Sequence, residues 1–261
     1  MQHPAMKLLP VLDLWQGQVV RGIAGQRDAY RPLISRLTTS ADVMDVAIAL
    51  QREYGVREFY LADLDGIRSG RPNWDRYQGL IDAGFDLWID LGLFDANCLR
   101  QSGDDQTPDY SAAAWKRRVH WIVGLDSIAS PAALADLLQQ LPSDQVCFSL
   151  DLKAGQPLTD SDAWPGEPLE IATAVLAIGI RQLIVLDLAG VGVGQGVPTI
   201  DLCRAIRHRW PELTLITGGG VRDTADLTEL ESIGVDRVLV ASVLHDGRFN
   251  RQTLSRWLMN D

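Results

Sequence analysis

The sequence predicts an α/β fold, a single closed (β/α)8 TIM barrel that occupies residues 1–261 as one domain. Eight short apolar runs rich in Val, Ile and Leu recur along the chain, and stretches with helical periodicity separate most of them. Buried parallel strands have this composition. The halves also echo each other, because LPVLDLWQG resembles CFSLDLKAG and FYLADLDG resembles LIVLDLAG, which indicates half-barrel internal duplication.

The eight predicted strands follow the apolar runs in chain order, at residues 7–13, 57–65, 86–92, 119–124, 146–151, 181–187, 213–219 and 236–242. The helix after the first strand is predicted to begin at Ser40 and to end at Gly55, because serine caps helix N-termini and glycine ends helices. Similar signals predict helices within residues 130–142, 165–179, 199–211 and 222–234. Residues 95–118 are polar and irregular, and the helix of the third unit is predicted near YSAAAWKRR (110–118).

Composition and charge argue against several classes of partner. Nucleic acid and membrane surfaces are bound through clustered Lys and Arg, whereas this chain has a formal net charge of −10. No apolar run approaches the roughly 20 residues that span a bilayer, and the N-terminus lacks a signal pattern, so a cytoplasmic protein is predicted. Cys98, Cys147 and Cys203 are predicted to be reduced packing residues. We expect a monomer or small homo-oligomer without cofactor or metal, since the four histidines show no metal-ligand spacing.

Two carboxylates are the candidate catalytic residues. In a (β/α)8 barrel the catalytic face is the ring of loops that follows the C-terminal ends of the strands. Asp13 ends the first strand and Asp151 ends the fifth, so the two acids should face each other across the mouth. Opposed acids suit chemistry in which one group donates a proton while the other removes one. Asp63, Asp65 and Asp187 end strands too, and capping a loop or helix is the alternative role of any such aspartate.

The stretch LITGGGVRDTADL predicts a phosphate site. Its three glycines follow a buried strand and precede a helix, so backbone N–H groups can approach an anion closely. The loops after the seventh and eighth strands often form such a site in barrels, and Gly219, Gly220, Ala241 and Ser242 lie at those positions. The alternative is a tight turn that only joins a strand to a helix.

Four further residues are candidate substrate contacts. Lys153 follows Asp151 by two residues, and Trp164 lies in the polar loop after that strand, where it can close over a planar group. Asp187 ends the sixth strand, and Arg21 brings positive charge to the first loop. Surface solvation is the alternative for both cations. The run GVGVGQG (190–196) lacks the context of a dinucleotide fingerprint and is interpreted as a lid or active-site loop.

The segments LPVLDLWQGQVVRG, LADLDGIRSGRPN, SLDLKAG and ITGGGVRDTADL resemble the barrels of histidine biosynthesis, which are of the ribulose-phosphate-binding type. The nearest resemblance is to the isomerase that converts phosphoribosylformimino-aminoimidazole carboxamide ribotide from aldose to ketose form. The resemblance implies an Amadori-type rearrangement at Asp13 and Asp151 and a phosphate bound at Gly219 and Gly220, with the end of the eighth strand at Ala241 and Ser242.

The chain also departs from that isomerase. The family has a second glycine triplet after the third strand, whereas this chain reads WIDLGLFD, with Asp90 and Asp95, and Asp126 follows the fourth strand. These acids predict a substrate with one phosphate and an uncharged or cationic far end. The segment VVRGIAGQRDAYRPLISRL (19–37) resembles the histidine-isomerase-related proteins of methanogens and methylotrophs, a resemblance that implies a role in biosynthesis of the methanopterin-type one-carbon cofactor. The alternatives are the histidine-pathway isomerase itself and a non-catalytic phosphate-binding barrel.

Overall fold

Eight parallel strands close into a barrel in the computed structural model, which describes residues 5–22, 30–93, 95 and 113–258. The last strand pairs with the first, so the sheet has no open edge between them. Two short antiparallel strands, β2 and β7, extend the first and fifth barrel strands. In chain order the strands are β1 (Lys7–Trp15), β2 (Gln18–Val20), β3 (Glu58–Asp63), β4 (Asp86–Asp90), β5 (Val119–Gly124), β6 (Val146–Lys153), β7 (Gln156–Pro157), β8 (Gln182–Asp187), β9 (Thr214–Gly218) and β10 (Arg237–Val240).

Helices follow the barrel strands and cover the outside of the sheet. They are α1 (Val43–Tyr54), α2 (Leu64–Ser69), α3 (Trp74–Asp82), α4 (Ala113–Arg118), α5 (Pro131–Leu138), α6 (Pro168–Ile178), α7 (Ile200–Arg209), α8 (Thr224–Ser232), α9 (Ser242–His245) and α10 (Arg251–Leu254). The larger apolar core lies between these helices and the outward faces of the strands. The (β/α)8 barrel predicted from the repeating apolar runs is therefore confirmed.

The barrel interior is filled by inward side chains rather than open. A second apolar cluster consists of residues that alternate along the strands, among them Leu9, Ile122, Ile184 and Leu239. At the N-terminal end Trp88 stacks on the His120 ring at 4.1 Å, with the Arg237 guanidinium 5.0 Å from the Trp88 ring centroid. A large cavity lies at the C-terminal ends of the strands, where the inward positions become polar or small.

The two halves repeat one backbone design. The turn of the β1–β2 hairpin places Gln16 at φ 52° and Gly17 at φ 75°, and the β6–β7 turn places Ala154 at φ 53° and Gly155 at φ 79°. Two successive left-handed residues are the requirement of a type I′ hairpin turn, and non-glycine residues rarely adopt this conformation. The same departure at corresponding sites agrees with the predicted internal duplication.

Most predicted element boundaries lie within two residues of the observed ones, and the exceptions have local causes. Helix α1 is capped by Asp42 rather than Ser40, because the Asp42 carboxylate accepts the Met44 N–H at 2.9 Å. Gly55 ends that helix at φ 78°, as predicted. The strand predicted to reach residue 65 ends at Asp63, where the chain turns into α2.

The predicted helix near 110–118 corresponds to α4, with residues 110–112 outside the described part. Cys147 and Cys203 are buried free thiols, whereas Cys98 lies outside the described residues.

Candidate active site

One cavity at the C-terminal end of the barrel collects the residues predicted to be catalytic and phosphate-binding. Its wall includes Asp13, Asp151, Gly219, Gly220, Ala241 and Ser242. Arg21, a predicted substrate contact, is exposed and also borders this cavity. Residues that are more than 200 positions apart in the chain therefore share one space, because barrel closure brings β1 beside β10.

Asp13 is held where the β1–β2 hairpin meets β3. It pairs with Val20 across the hairpin and with Ala62 in the parallel ladder. Gly22 passes close to this carboxylate, since a Cβ at Gly22 would lie 2.7 Å from Asp13 Oδ2. A side chain at residue 22 would therefore collide with the acid, and this requirement was not recognised from the sequence.

Asp151 lies in an environment that favours its protonated form. It is partly buried on β6, and the Ser149 hydroxyl donates to its Oδ1 at 2.8 Å. Burial raises the pKa of Asp151 well above its usual range, and the neighbouring carboxylates Asp126 and Asp90 raise this pKa further. Gly124 leaves room for two of these acids, because its Cβ would lie 2.6 Å from Asp126 Oδ1 and 3.2 Å from Asp151 Oδ2.

Tyr60 and Asp90 form a polar pair in the same wall. The Tyr60 hydroxyl donates to Asp90 Oδ2 at 3.0 Å, and the Gly92 N–H donates to Asp90 Oδ1 at 3.1 Å. Burial, followed by the Asp90 charge, raises the pKa of the Tyr60 phenol, so the phenol stays a neutral donor. Tyr60 was missed in the sequence, although strand alternation places it on the same inward face as Ala62.

The glycine loop after β9 presents its backbone to the cavity. Gly219 has φ 79° and Gly220 has φ 96°, both in the left-handed region that glycine tolerates. The run 190–196 packs on this loop, since the Gly196 N–H donates to Gly220 O at 3.1 Å. Within the described part of the chain, no hydrogen bond uses the N–H of Gly220 or of Ser242. These amides remain available to an anion.

The rest of the wall combines an apolar side with a neutral histidine. Val19, Leu33 and Ile67 line the cavity beside the acids. His245 also lines it, and its Nδ1 lies 3.0 Å from the Ser35 hydroxyl, which joins the β2–α1 loop to the β10 end. Burial lowers the pKa of His245 to about 4, so the imidazole is neutral near pH 7. The sequence does not predict a role for His245, because its histidines show no metal-ligand spacing.

Three of the predicted substrate contacts do not line the cavity. Lys153 is exposed and pairs with Gln156 in the β6–β7 hairpin. Trp164 is buried, where its indole N–H donates to Ile128 O at 3.0 Å and its ring packs on Phe148. The Asp187 carboxylate accepts the N–H groups of Ala154, Gly155 and Ala189, at 2.7 to 3.0 Å. Asp187 thus holds the hairpin turn rather than facing the cavity.

Among the residues with described positions, no three His, Cys, Asp or Glu side chains come together in an arrangement that could hold a metal ion. None of the described helices combines the length and the apolar character needed to cross a membrane.

Comparison with known proteins places this geometry in a family. The family model described as "Histidine biosynthesis protein" matches residues 7–250, which is nearly the whole barrel. The chain belongs to this family. An uncharacterized protein of Methanocaldococcus jannaschii is 29% identical over 242 residues, covering 93% of this chain and 94% of that protein.

Two further relatives of this chain are named as an isomerase. One from Leuconostoc mesenteroides is 25% identical over 243 residues, covering 92% of this chain and 94% of its own, and one from Thermus thermophilus is 27% identical over 255 residues, covering 96% and 99%. Both are named as imidazole-4-carboxamide isomerases, and the compound in that name contains two phosphoribosyl groups. The chain is thus similar along almost its whole length to proteins named as this isomerase.

Proposed function

We propose that this barrel is an aldose–ketose isomerase, or a related lyase-type enzyme, that acts on a phosphorylated small molecule through Asp13 and Asp151. The observation that carries the proposal is the placement of both acids in one cavity with the glycine loop. The acids occupy corresponding positions on β1 and β6, the first strands of the two halves. A substrate that spans the mouth can therefore be reached by both carboxyl groups.

The environments of the two acids suggest a division of roles. Burial and the nearby carboxylates favour the protonated form of Asp151, which suits the group that donates a proton first. Asp13 then removes a proton from the neighbouring carbon. An aldose-to-ketose conversion of this kind needs both groups: the ring oxygen gains a proton as the ring opens to an imine at C1, and C2 then loses a proton to give an enolamine. C1 gains a proton and the C2 hydroxyl loses one when the enolamine becomes the ketose.

The glycine loop supplies the anchor for the phosphate. The backbone N–H groups of Gly219, Gly220 and Ser242 bind the phosphate, so no positively charged side chain is needed there. The Arg248 guanidinium lies 3.5 Å from the Ser242 hydroxyl, and it is paired with the Asp246 carboxylate at 2.7 Å, so this pair brings no net positive charge. Anchoring one end of the substrate fixes its reactive carbons against the two acids.

The histidine-pathway isomerase activity is the second candidate, because the isomerase-named relatives match this chain along almost its entire length. A role in one-carbon cofactor biosynthesis remains a prediction from the resemblance of residues 19–37. A non-catalytic barrel is the third reading, and it predicts ligand binding without turnover.

The experiment combines a ligand screen with paired variants. Phosphorylated aldoses and ribotides are tested for a rise in melting temperature, and those that bind are assayed for turnover. We expect Asp13→Asn and Asp151→Asn each to keep ligand binding and to lose about 10²–10⁴-fold in kcat. Asp160→Asn, an exposed acid in the loop after β7, is the matched control. Wild-type turnover in either active-site variant would remove that acid from the mechanism, and stabilisation without turnover would indicate a binding barrel.

A further inference from the structure

The duplication allows the two halves of the cavity to be compared residue by residue. Ile89 pairs with Leu61 in the first half as Thr217 pairs with Val185 in the second. Beyond these pairs, Gly66 packs on Leu91 O and Gly190 packs on Gly219 O, with Cβ positions 3.1 and 3.2 Å from those oxygens. The segments 90–92 and 218–220 are therefore counterparts, and so are residues 125 and 242.

The backbone amides of the two halves differ in their availability. In the first half the Gly92 N–H donates to the Asp90 carboxylate, and the Leu125 N–H donates to Ser149 O at 2.9 Å. Their counterparts, the amides of Gly220 and Ser242, have no acceptor within the described residues. In the first half the N–H groups of Gly92 and Leu125 are already hydrogen-bonded. The corresponding N–H groups of the second half can bind an anion.

The first-half segment at residues 91 and 92 is also shielded from the cavity. Ile67 covers Gly92, since a Cβ at Gly92 would lie 3.0 Å from Ile67 Cα. Neither Leu91 nor Gly92 borders the cavity, whereas Gly219 and Gly220 both do. What the first half presents instead is the Asp90 carboxylate, fixed by Tyr60 and within the electrostatic range of Asp151.

We infer that Asp90 is a specificity-determining residue that excludes a second phosphate, so that the substrate of this barrel is a monophosphate whose far end offers a hydrogen-bond donor to Asp90. The inference rests on the proposed function, because it presupposes that the second-half loop binds the first phosphate. It separates this chain from its isomerase-named relatives, whose compound name contains two phosphoribosyl groups. A dianionic phosphate close to one carboxylate is repelled even in water, and more strongly where water is excluded.

The test compares two compounds on wild type and two variants. The probes are the bis-phosphoribosyl imidazole-carboxamide compound named for the relatives and its derivative that lacks the phosphate distal to the glycine loop. Calorimetry gives Kd for both with wild type, Asp90→Gly and Asp90→Asn. Asp90→Gly restores the residue type of its counterpart and frees the Gly92 amide. Asp90→Asn removes the charge but keeps a side chain that can hydrogen-bond to Tyr60, and it covers the case in which the glycine variant fails to fold.

We expect wild type to bind the one-phosphate derivative at least as tightly as the two-phosphate compound. In Asp90→Gly the two-phosphate compound should bind about tenfold or more tighter than in wild type, with a smaller gain in Asp90→Asn, while the Kd of the one-phosphate derivative changes little. A wild-type preference for two phosphates, or an unchanged ratio in both variants, would overturn the inference.

A separate variant tests the proposed phosphate anchor. Ser242→Asp introduces a carboxylate at the glycine-loop side, and we expect it to weaken both probes about tenfold or more. If Ser242→Asp leaves both Kd values unchanged, the phosphate site of the proposed function is wrong and the inference on Asp90 fails with it. If Ser242→Asp weakens both probes and Asp90 has no effect, only the inference on Asp90 fails.

Discussion

The N-terminal and C-terminal half-barrels have aspartates at the same strand ends. In each half the aspartate of the first strand and that of the second strand have different roles. Asp63 and Asp187 end the second strand of each half. Both carboxylates are buried and accept hydrogen bonds from backbone N–H groups. Asp13 and Asp151 end the first strand of each half, and both face the cavity. The duplicated backbone therefore determines which acids are structural, and the ends of the third and fourth strands then make the two halves chemically different.

The structural pair is itself unequal. Asp63 accepts the N–H groups of Asp65, Gly66 and Asn73, together with the Asn73 side-chain amide and the Tyr77 hydroxyl. Asp187 accepts three backbone N–H groups. The N-terminal half thus depends on its acid to hold a helix–loop–helix segment, α2–α3, whereas the C-terminal half uses its acid mainly to hold a hairpin turn.

Truncating these two acids gives the largest stability effects expected in this comparison. Asp63→Ala should lower the free energy of unfolding by about 3 kcal/mol and Asp187→Ala by about 2 kcal/mol, because buried donors without a partner cost about 1–3 kcal/mol each. Urea denaturation of both variants measures the difference, with Asp160→Ala as the exposed control. Equal losses in the two variants would show that the halves are held in the same way.

A smaller, pH-dependent effect is expected at Asp151. Its pKa is raised in the folded protein, so the folded state binds more protons than the unfolded state above about pH 4, and stability falls as pH rises toward the folded pKa. Asp151→Asn removes this penalty and should be more stable than wild type at neutral pH, with the difference absent near pH 3. Each kcal/mol corresponds to a shift in Tm of about 2–4 °C in a chain of this size.

Thermal unfolding of wild type and Asp151→Asn between pH 3 and pH 8 checks this expectation. Parallel pH profiles of the two proteins would mean that the Asp151 carboxyl is not disfavoured in its charged form. Such a result would also remove the reason for assigning Asp151 as the first proton donor. Asp160→Asn controls for the loss of one negative charge from the whole protein.

The smallest effect is expected at Lys153. It follows Asp151 on β6 at the position that Trp15 occupies on β1, yet its side chain is exposed and does not border the cavity. Lys153→Ala should change stability by less than about 0.5 kcal/mol, as exposed substitutions usually do, and should leave turnover within about twofold. A tenfold loss of kcat in this variant would place Lys153 among the residues that act on the substrate.

Local residue patterns were enough to predict the strands, the helices, the internal duplication and the glycine loop. Apolar runs, helical periodicity and glycine at helix ends are local signals, which is why β5 and the end of α1 match their predictions. The positions of Asp13 and Asp151 at strand ends also predicted both acids at the mouth, because the C-terminal ends of parallel strands meet at one face.

The tertiary structure is needed to tell which acids face the cavity and which backbone N–H groups are available to a ligand. Asp13 and Asp187 both end apolar strands in the sequence, but Asp13 borders the cavity, whereas Asp187 accepts N–H groups from a turn more than 30 residues away. Strand alternation places Tyr60 on an inward face, but only the fold brings Tyr60 and His245 to the wall of the same cavity. Hydrogen-bond partners and burial depend on contacts between distant segments, so a local pattern of residue types does not specify them.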